Sequence, residues 1–161
     1  MSTLALSDYK NPRSLITLGV FLAVVIGVGA LIGVSTAPGV WYEQLAKPPF
    51  NPPNWLFGPV WSVLYVLIAI AGWRTFLSEP RGLGMKLWVG QMLVNWAWSP
   101  TWFSLHLLWP AFAIISVMLV LIVLFIANRW PRDRVSALLF LPYAAWVGFA
   151  ALLNLSIAIL N

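Results

Sequence analysis

Trp88, Gln91, Asn95, Trp98 and Trp102 follow one another at spacings of three, four, three and four. On a helix of 3.6 residues per turn that spacing sets all five side chains on one stripe. Flat indole faces with two amides among them suit a large, rigid, mostly apolar ligand with some polar edges. The same residues also suit a packing seam in which Gln and Asn hydrogen-bond between helices. Trp61 and Tyr65 repeat the theme at i and i+4, and Tyr143, Trp146, Ala150 and Asn154 fall on or close to a single helical face. Eleven Trp in 161 residues exceed what interfacial belts require, and several lie inside apolar runs instead of at their ends. Ligand cavity and packing seam can coexist at different depths.

Other chemistries are poorly provided for. The four acids, Asp8, Glu43, Glu79 and Asp133, fall in the N-terminal segment or between apolar runs, and no Lys or Arg sits inside a run. An ion pump or proton antiporter, which needs an ionisable group at mid-membrane depth, is therefore not expected. The absence of cysteine excludes disulfides and thiolate catalysis or ligation. The single histidine, His106, falls at an expected helix end beside a Trp-rich turn, where an interfacial hydrogen-bonding role is favoured over haem or metal ligation. No metal or other cofactor is expected.

The elements that must position these residues follow from composition. With 61% hydrophobic and 8% charged residues, the chain reads as an all-α integral membrane protein. Its uncharged runs, 14 to 42, 48 to 73, 87 to 128 and 135 to 161, each exceed the roughly 20 residues that cross a bilayer as helix. The third has room for two crossings, with His106 and Pro110 marking the turn. The expectation is one domain, 1 to 161, a bundle of five transmembrane helices at about 14 to 34, 55 to 75, 86 to 105, 109 to 128 and 135 to 159. The polar and apolar alternation of a membrane barrel is absent. The first span is longer than a signal-peptide core and lacks a cleavage motif after it, so it is expected to remain.

Between the first two spans lies a loop at 36 to 54, and KPPFNPPNW, running from Lys47 in that loop to Trp55 at the start of the second span, has two proline pairs that predict a stiff, extended segment. In span 1, Gly19, Ala23 and Gly27, with a second pair at Gly29 and Gly33, permit close helix approach within the bundle or along a homodimer seam. The net charge of +5 is explained by position. Lys10, Arg13, Arg74, Arg81, Lys86, Arg129, Arg132 and Arg134 share one side of the layout and Lys47 stands alone on the other. The positive-inside rule then places the N-terminus in the cytoplasm and the C-terminus outside. The bilayer, not nucleic acid, is the partner this basicity implies.

Three blocks carry a resemblance: WYEQLAKPPFNPPNWLFGPVWSVLY at 41 to 65, QMLVNWAWSP at 91 to 100, and LPYAAW with the following LN at 141 to 154. In this order they resemble the translocator proteins, also called tryptophan-rich sensory proteins or peripheral benzodiazepine receptors, over about residues 14 to 160. The resemblance implies a five-helix bundle whose pocket is covered by the first loop, with KPPFNPPNW the stiff part of a lid. It implies porphyrins and related tetrapyrroles as ligands, cholesterol in eukaryotic members, and synthetic benzodiazepine-type compounds. Carried onto this chain, the ligand-binding positions are Trp41, Phe50, Trp61, Tyr65, Asn95, Trp98, Trp146 and Ala150. Bacterial relatives are described as degrading porphyrin in light and oxygen, which implies catalytic roles for Trp61 and Trp146 on opposite walls of the pocket. The cholesterol motif of the family departs here. The tail reads ALLNLSIAILN, with Leu155 in place of tyrosine and no cation after it. Sterol is therefore disfavoured, and a bacterial member with a tetrapyrrole ligand in the cell membrane is implied.

Three functions compete on these residues: a tetrapyrrole-binding sensor, scavenger or carrier; a light- and oxygen-dependent porphyrin-degrading protein; and a structural protein whose aromatic cavity is only packing.

Overall fold

The computed structural model describes Tyr9 and residues 11–161; Asp8 and Lys10, counted above among the charges, lie outside the described residues. Helix α1 (Pro12–Ser35) begins where the Asn11 side chain accepts a hydrogen bond from Arg13 N at 3.1 Å and proline occupies the first turn, where its missing N–H leaves nothing unpaired. A short helix, α2 (Val40–Gln44), stands inside the loop that follows. A 3₁₀ turn (Asn54–Leu56) leads into α3 (Phe57–Ser78). Helix α4 (Leu83–Ser99) continues as a π-helical turn, Pro100–Ser104. Pro100 offers no N–H to the α-ladder, and Leu105 N bonds back to Pro100 O at 2.9 Å, the wider i→i−5 pattern. Helix α5 (Leu108–Arg129) and helix α6 (Arg134–Leu160) complete the chain.

No strand occurs among the described residues. Among the described residues, four helical stretches, α1, Asn54–Ser78, α5 and α6, are long and apolar enough to cross a membrane; α4, with 17 residues, is shorter. The turn expected around His106 and Pro110 centres on His106, whose φ is +57°, while Pro110 falls in the first turn of α5.

The helices form a ring in the order α1, α3, α6, α5, α4, and α4 returns to touch α1 and α3 only lightly. The dense core lies between α4, α5 and α6, around buried Ile115, Met118, Ile122 and Val147, with the Phe125 and Phe140 ring centroids 4.1 Å apart. The light seam between α1 and α4 leaves space on the other side. Gly72 takes the Trp88 ring, since an added Cβ would stand 2.3 Å from it, and the Trp88 indole donates to Ile68 O at 2.9 Å. The N-terminal end of the α4 stripe is thus a packing seam.

Two ion pairs tie the charged connections together. Arg129, buried, donates to Glu79 and, at 3.0 Å, to Ser78 Oγ. Arg74 holds Asp133 through two bonds of 3.1 and 2.8 Å, and Asp133 caps α6 by accepting from Ser136. Burial pushes the Asp133 carboxyl up, but the Arg74 and Ser136 hydrogen bonds and the Arg74 charge outweigh it and hold it below its ordinary 3.8. A lowered native pKa contributes stability that is fully present above the unfolded value and is lost as pH falls through the native one. The melting temperature in detergent should therefore fall below about pH 4, and fall less steeply in Asp133→Asn; equal acid slopes in the two proteins would contradict this account.

Candidate functional site

The light seam encloses a cavity of about 350 Å³ between α1, α3 and α4, within the range of small-molecule sites. Its lining includes Trp61 and Tyr65 from α3, Asn95, Trp98 and Ser99 from α4, and Gly29 and Gly33 from α1, with Thr36, Pro38 and Asn54 from the ends of the first loop. Trp61 is the aromatic hub, its ring 5.5 Å from Tyr65, 6.3 Å from Trp98 and 6.2 Å from Tyr143.

A buried polar chain backs these rings. The Tyr65 hydroxyl donates to Asn95 Oδ1 at 3.2 Å, Asn95 Nδ2 donates to the Tyr143 hydroxyl at 2.8 Å, and Tyr143 donates to Gln91 Oε1 at 2.9 Å. The Trp98 indole donates to Asn154 Oδ1 at 3.0 Å. Gln91, Asn95 and Asn154, read in the sequence as either ligand groups or glue, therefore all bond across helices, and Asn95 also lines the cavity. Gly29 is the residue the sequence reading undervalued. A Cβ there would stand 2.3 Å from the Tyr65 ring, whereas Gly19, Gly27 and Gly33 meet nothing within 4 Å. The close approach on α1 is of a ring to bare backbone, at one glycine of the set.

Of the eight ligand-binding positions inferred from sequence, the cavity brings together Trp61, Tyr65, Asn95 and Trp98. Trp146 lies elsewhere, in a shallow apolar groove between α3 and α6 with Pro52, Val60, Leu64 and Pro142. Helix α3 stands between the two: Val60 and Leu64 face the groove, and the next residue after each, Trp61 and Tyr65, faces the cavity. Phe57 bridges them, because it lines the cavity and its ring is 5.9 Å from Trp146. Ala150 is buried and packed in the core. Trp41 stacks on His106, centroids 4.0 Å apart and planes within 17°. Phe50, 44% exposed, meets Phe149 edge-on at 6.3 Å.

The first loop is well tied down. Tyr42, 1% exposed, donates to Asn51 Oδ1 at 2.9 Å, and Lys47 lies over its ring. Burial, partly offset by the Asn51 bond, pushes the Tyr42 phenol up to about 12, so it keeps the donating proton at neutral pH. At the far end, the Asn161 amide clasps Ala46, accepting from its N and donating to its O, both at 3.0 Å. Pro53 has the extended backbone the proline pairs predict, but Asn51 N bonds to Pro48 O at 3.0 Å, so the segment contains a turn. No group of three or more metal-binding side chains occurs among the described residues.

The chain is 36% identical over 152 residues to Protein CrtK of Rhodobacter capsulatus, covering 92% of this chain and 94% of that protein. It is 32% identical over 141 residues to the tryptophan-rich sensory protein of Cereibacter sphaeroides, covering 88% and 89%. It is 33% identical over 121 residues to the translocator protein of Ovis aries, covering 71% and 70%. Residues 20–160 match the TspO/MBR family, and with relatives at this identity over most of its length the chain belongs to that family.

Proposed function

We propose that this chain is a five-span membrane protein that binds a porphyrin or related tetrapyrrole in the cavity between α1, α3 and α4, acting as a sensor, scavenger or carrier. The observation that carries the reading is the cavity itself: about 350 Å³, walled by Trp61, Tyr65 and Trp98, with Asn95 among them. Flat aromatic walls suit a flat aromatic ligand. Helix α4 serves as the fifth crossing, since its 17 residues with the five of the π turn reach about 30 Å, the thickness of a bilayer core. The cation distribution supports an N-terminus in the cytoplasm and a C-terminus outside. Relatives named sensory and translocator proteins support sensing or carriage.

Porphyrin titration of the purified protein in detergent, read by tryptophan quenching, tests the reading and should saturate at one ligand per chain. Gly29→Ala, whose Cβ would push the Tyr65 ring off its seat, should weaken binding about tenfold, equivalent to 1.4 kcal/mol. Gly27→Ala, which meets open space, should bind as wild type. Linear, unsaturable quenching would leave the aromatic cluster as packing only. A second reading, light-driven porphyrin degradation, is favoured by one feature: Trp61, an oxidisable indole, lines the cavity.

A further inference from the structure

We infer that the hydroxyl-bearing wall of the cavity is set to accept hydrogen bonds from its ligand, and that Tyr143, which is outside the lining, sets this polarity through Asn95. The inference rests on the cavity being a ligand site and adds the chemical class of the group seated there: an N–H or O–H edge on a rigid aromatic framework.

The accounting covers each lining hydroxyl, which has one proton to give and two lone pairs. The Thr36 hydroxyl donates to Ile32 O at 2.8 Å, and Ser62 donates to Gly58 O at 2.8 Å. A carbonyl can only accept, so both protons are engaged. Ser99 Oγ lies 2.6 Å from Thr36 Oγ1; because the Thr36 proton is already directed at Ile32, Ser99 supplies the proton of that bond. The fourth hydroxyl, Tyr65, gives its proton to Asn95 Oδ1. All four therefore have lone pairs, and no proton, left to offer a ligand on this lining. Side-chain donors that remain on the lining are the Trp61 indole, the exposed Asn54 amide and the second amide proton of Asn95, since the Trp98 N–H is held by Asn154.

Three of these polarities are imposed by local backbone carbonyls, directly or through Thr36, but that of Tyr65 is imposed from a distance. Asn95 presents its oxygen to Tyr65 because its nitrogen donates to Tyr143, and Tyr143 can accept there because its own proton points toward Gln91 Oε1, with Met118 Sδ also in reach at 3.2 Å. Tyr143 is fully buried and Gln91 likewise, so no solvent is at hand to replace either bond. Tyr143 is thus a positioning residue. Without its hydroxyl the Asn95 amide is free to turn over, and Tyr65 can then aim its proton into the cavity.

A matched pair of probes tests this: carbazole, with a ring N–H, and dibenzofuran, the same fused tricycle with a ring oxygen. Affinities for the full-length protein in detergent are measured by tryptophan quenching and corrected for partition into empty micelles. Wild type should prefer carbazole about fivefold, the effect of one ordinary hydrogen bond. Tyr143→Phe keeps the ring and frees the Tyr65 proton, so its preference should fall below the wild-type ratio; Tyr65→Phe, which removes that acceptor, should lower it likewise. A purely structural role for Tyr143 would weaken both probes together and leave the ratio unmoved, which would overturn the inference, as would a wild-type preference for dibenzofuran. Porphyrin titrated in parallel separates the two readings. Saturable porphyrin binding with a tricycle ratio near one in wild type removes the polarity and leaves the site. Loss of saturable binding for all three ligands removes both.

Discussion

Glu79→Ala should destabilise the protein by about 3 kcal/mol, the range found when one partner of a buried ion pair is removed. The loss comes from the residue left behind. Arg129 is 1% exposed, its Nε has no hydrogen-bond partner, and Glu79 and Ser78 are what its guanidinium meets. Without Glu79 a full charge is buried against one hydroxyl. The Glu79 side chain is itself 27% exposed, so water can partly solvate the gap, which places the expected loss at the lower end of the range. The surroundings are shaped for the pair: a Cβ on Gly82 or Gly84 would stand 2.5 or 2.4 Å from the Glu79 carboxylate. Replacing both partners, Glu79→Ala with Arg129→Met, removes the stranded charge and should recover more than half of the loss. Equilibrium unfolding in mixed micelles of the wild type and the two variants checks this. A single Glu79→Ala variant as stable as wild type would show that Arg129 finds another counter-charge.

Much of this architecture was legible in the sequence because it depends on local patterns. Uncharged runs bounded by Arg13, Arg74, Arg129 and Arg134 mark the long helices, and the three-four spacing of Trp88 to Trp102 places five residues on an inward face, all of them buried. Half of the candidate site was legible for the same reason, since Trp61 with Tyr65 and Asn95 with Trp98 are each pairs on one helix. What could not be read is the rotation of one helix against another. Nothing in the order of residues tells that Val60 and Trp61 face opposite neighbours, and so Trp146, from a third helix, falls beside Val60 and not beside Trp61. Gly29 was legible as a small residue but not as the seat of a ring 36 positions away, because its partner is set by the α1 and α3 pairing. The hydroxyl of Thr36 meeting Ser99 is similarly a product of where α1 ends beside α4. Helix α2 was missed because the prolines that follow it dominate the loop's pattern.

Trp61→Phe should retain most of the porphyrin affinity yet lose most light-driven porphyrin loss, by about tenfold per bound ligand, the effect of a 1.4 kcal/mol rise in barrier. A phenyl ring preserves the aromatic wall against Tyr65 and Trp98, whose centroids lie 5.5 and 6.3 Å from the indole, so stacking survives. What disappears is the easily oxidised indole beside a photosensitising ligand. Trp146 makes the comparison informative, because it differs in position and not in chemistry. It stands behind Phe57 at 5.9 Å, on the groove side of α3, and its buried N–H has no partner. If bleaching requires indole in contact with the ligand, Trp146→Phe should bleach nearer to the wild-type rate than Trp61→Phe does. If oxidising equivalents pass through the aromatic cluster, both variants should slow together, and Phe57→Leu, which removes the cavity-lining ring that meets Trp146, should slow bleaching as well. Bleaching rate, affinity and melting temperature are measured for each variant under the same illumination. A Trp61→Phe protein that bleaches bound porphyrin at the wild-type rate would remove tryptophan from the chemistry and leave a binder whose ligand is destroyed by its own excited state.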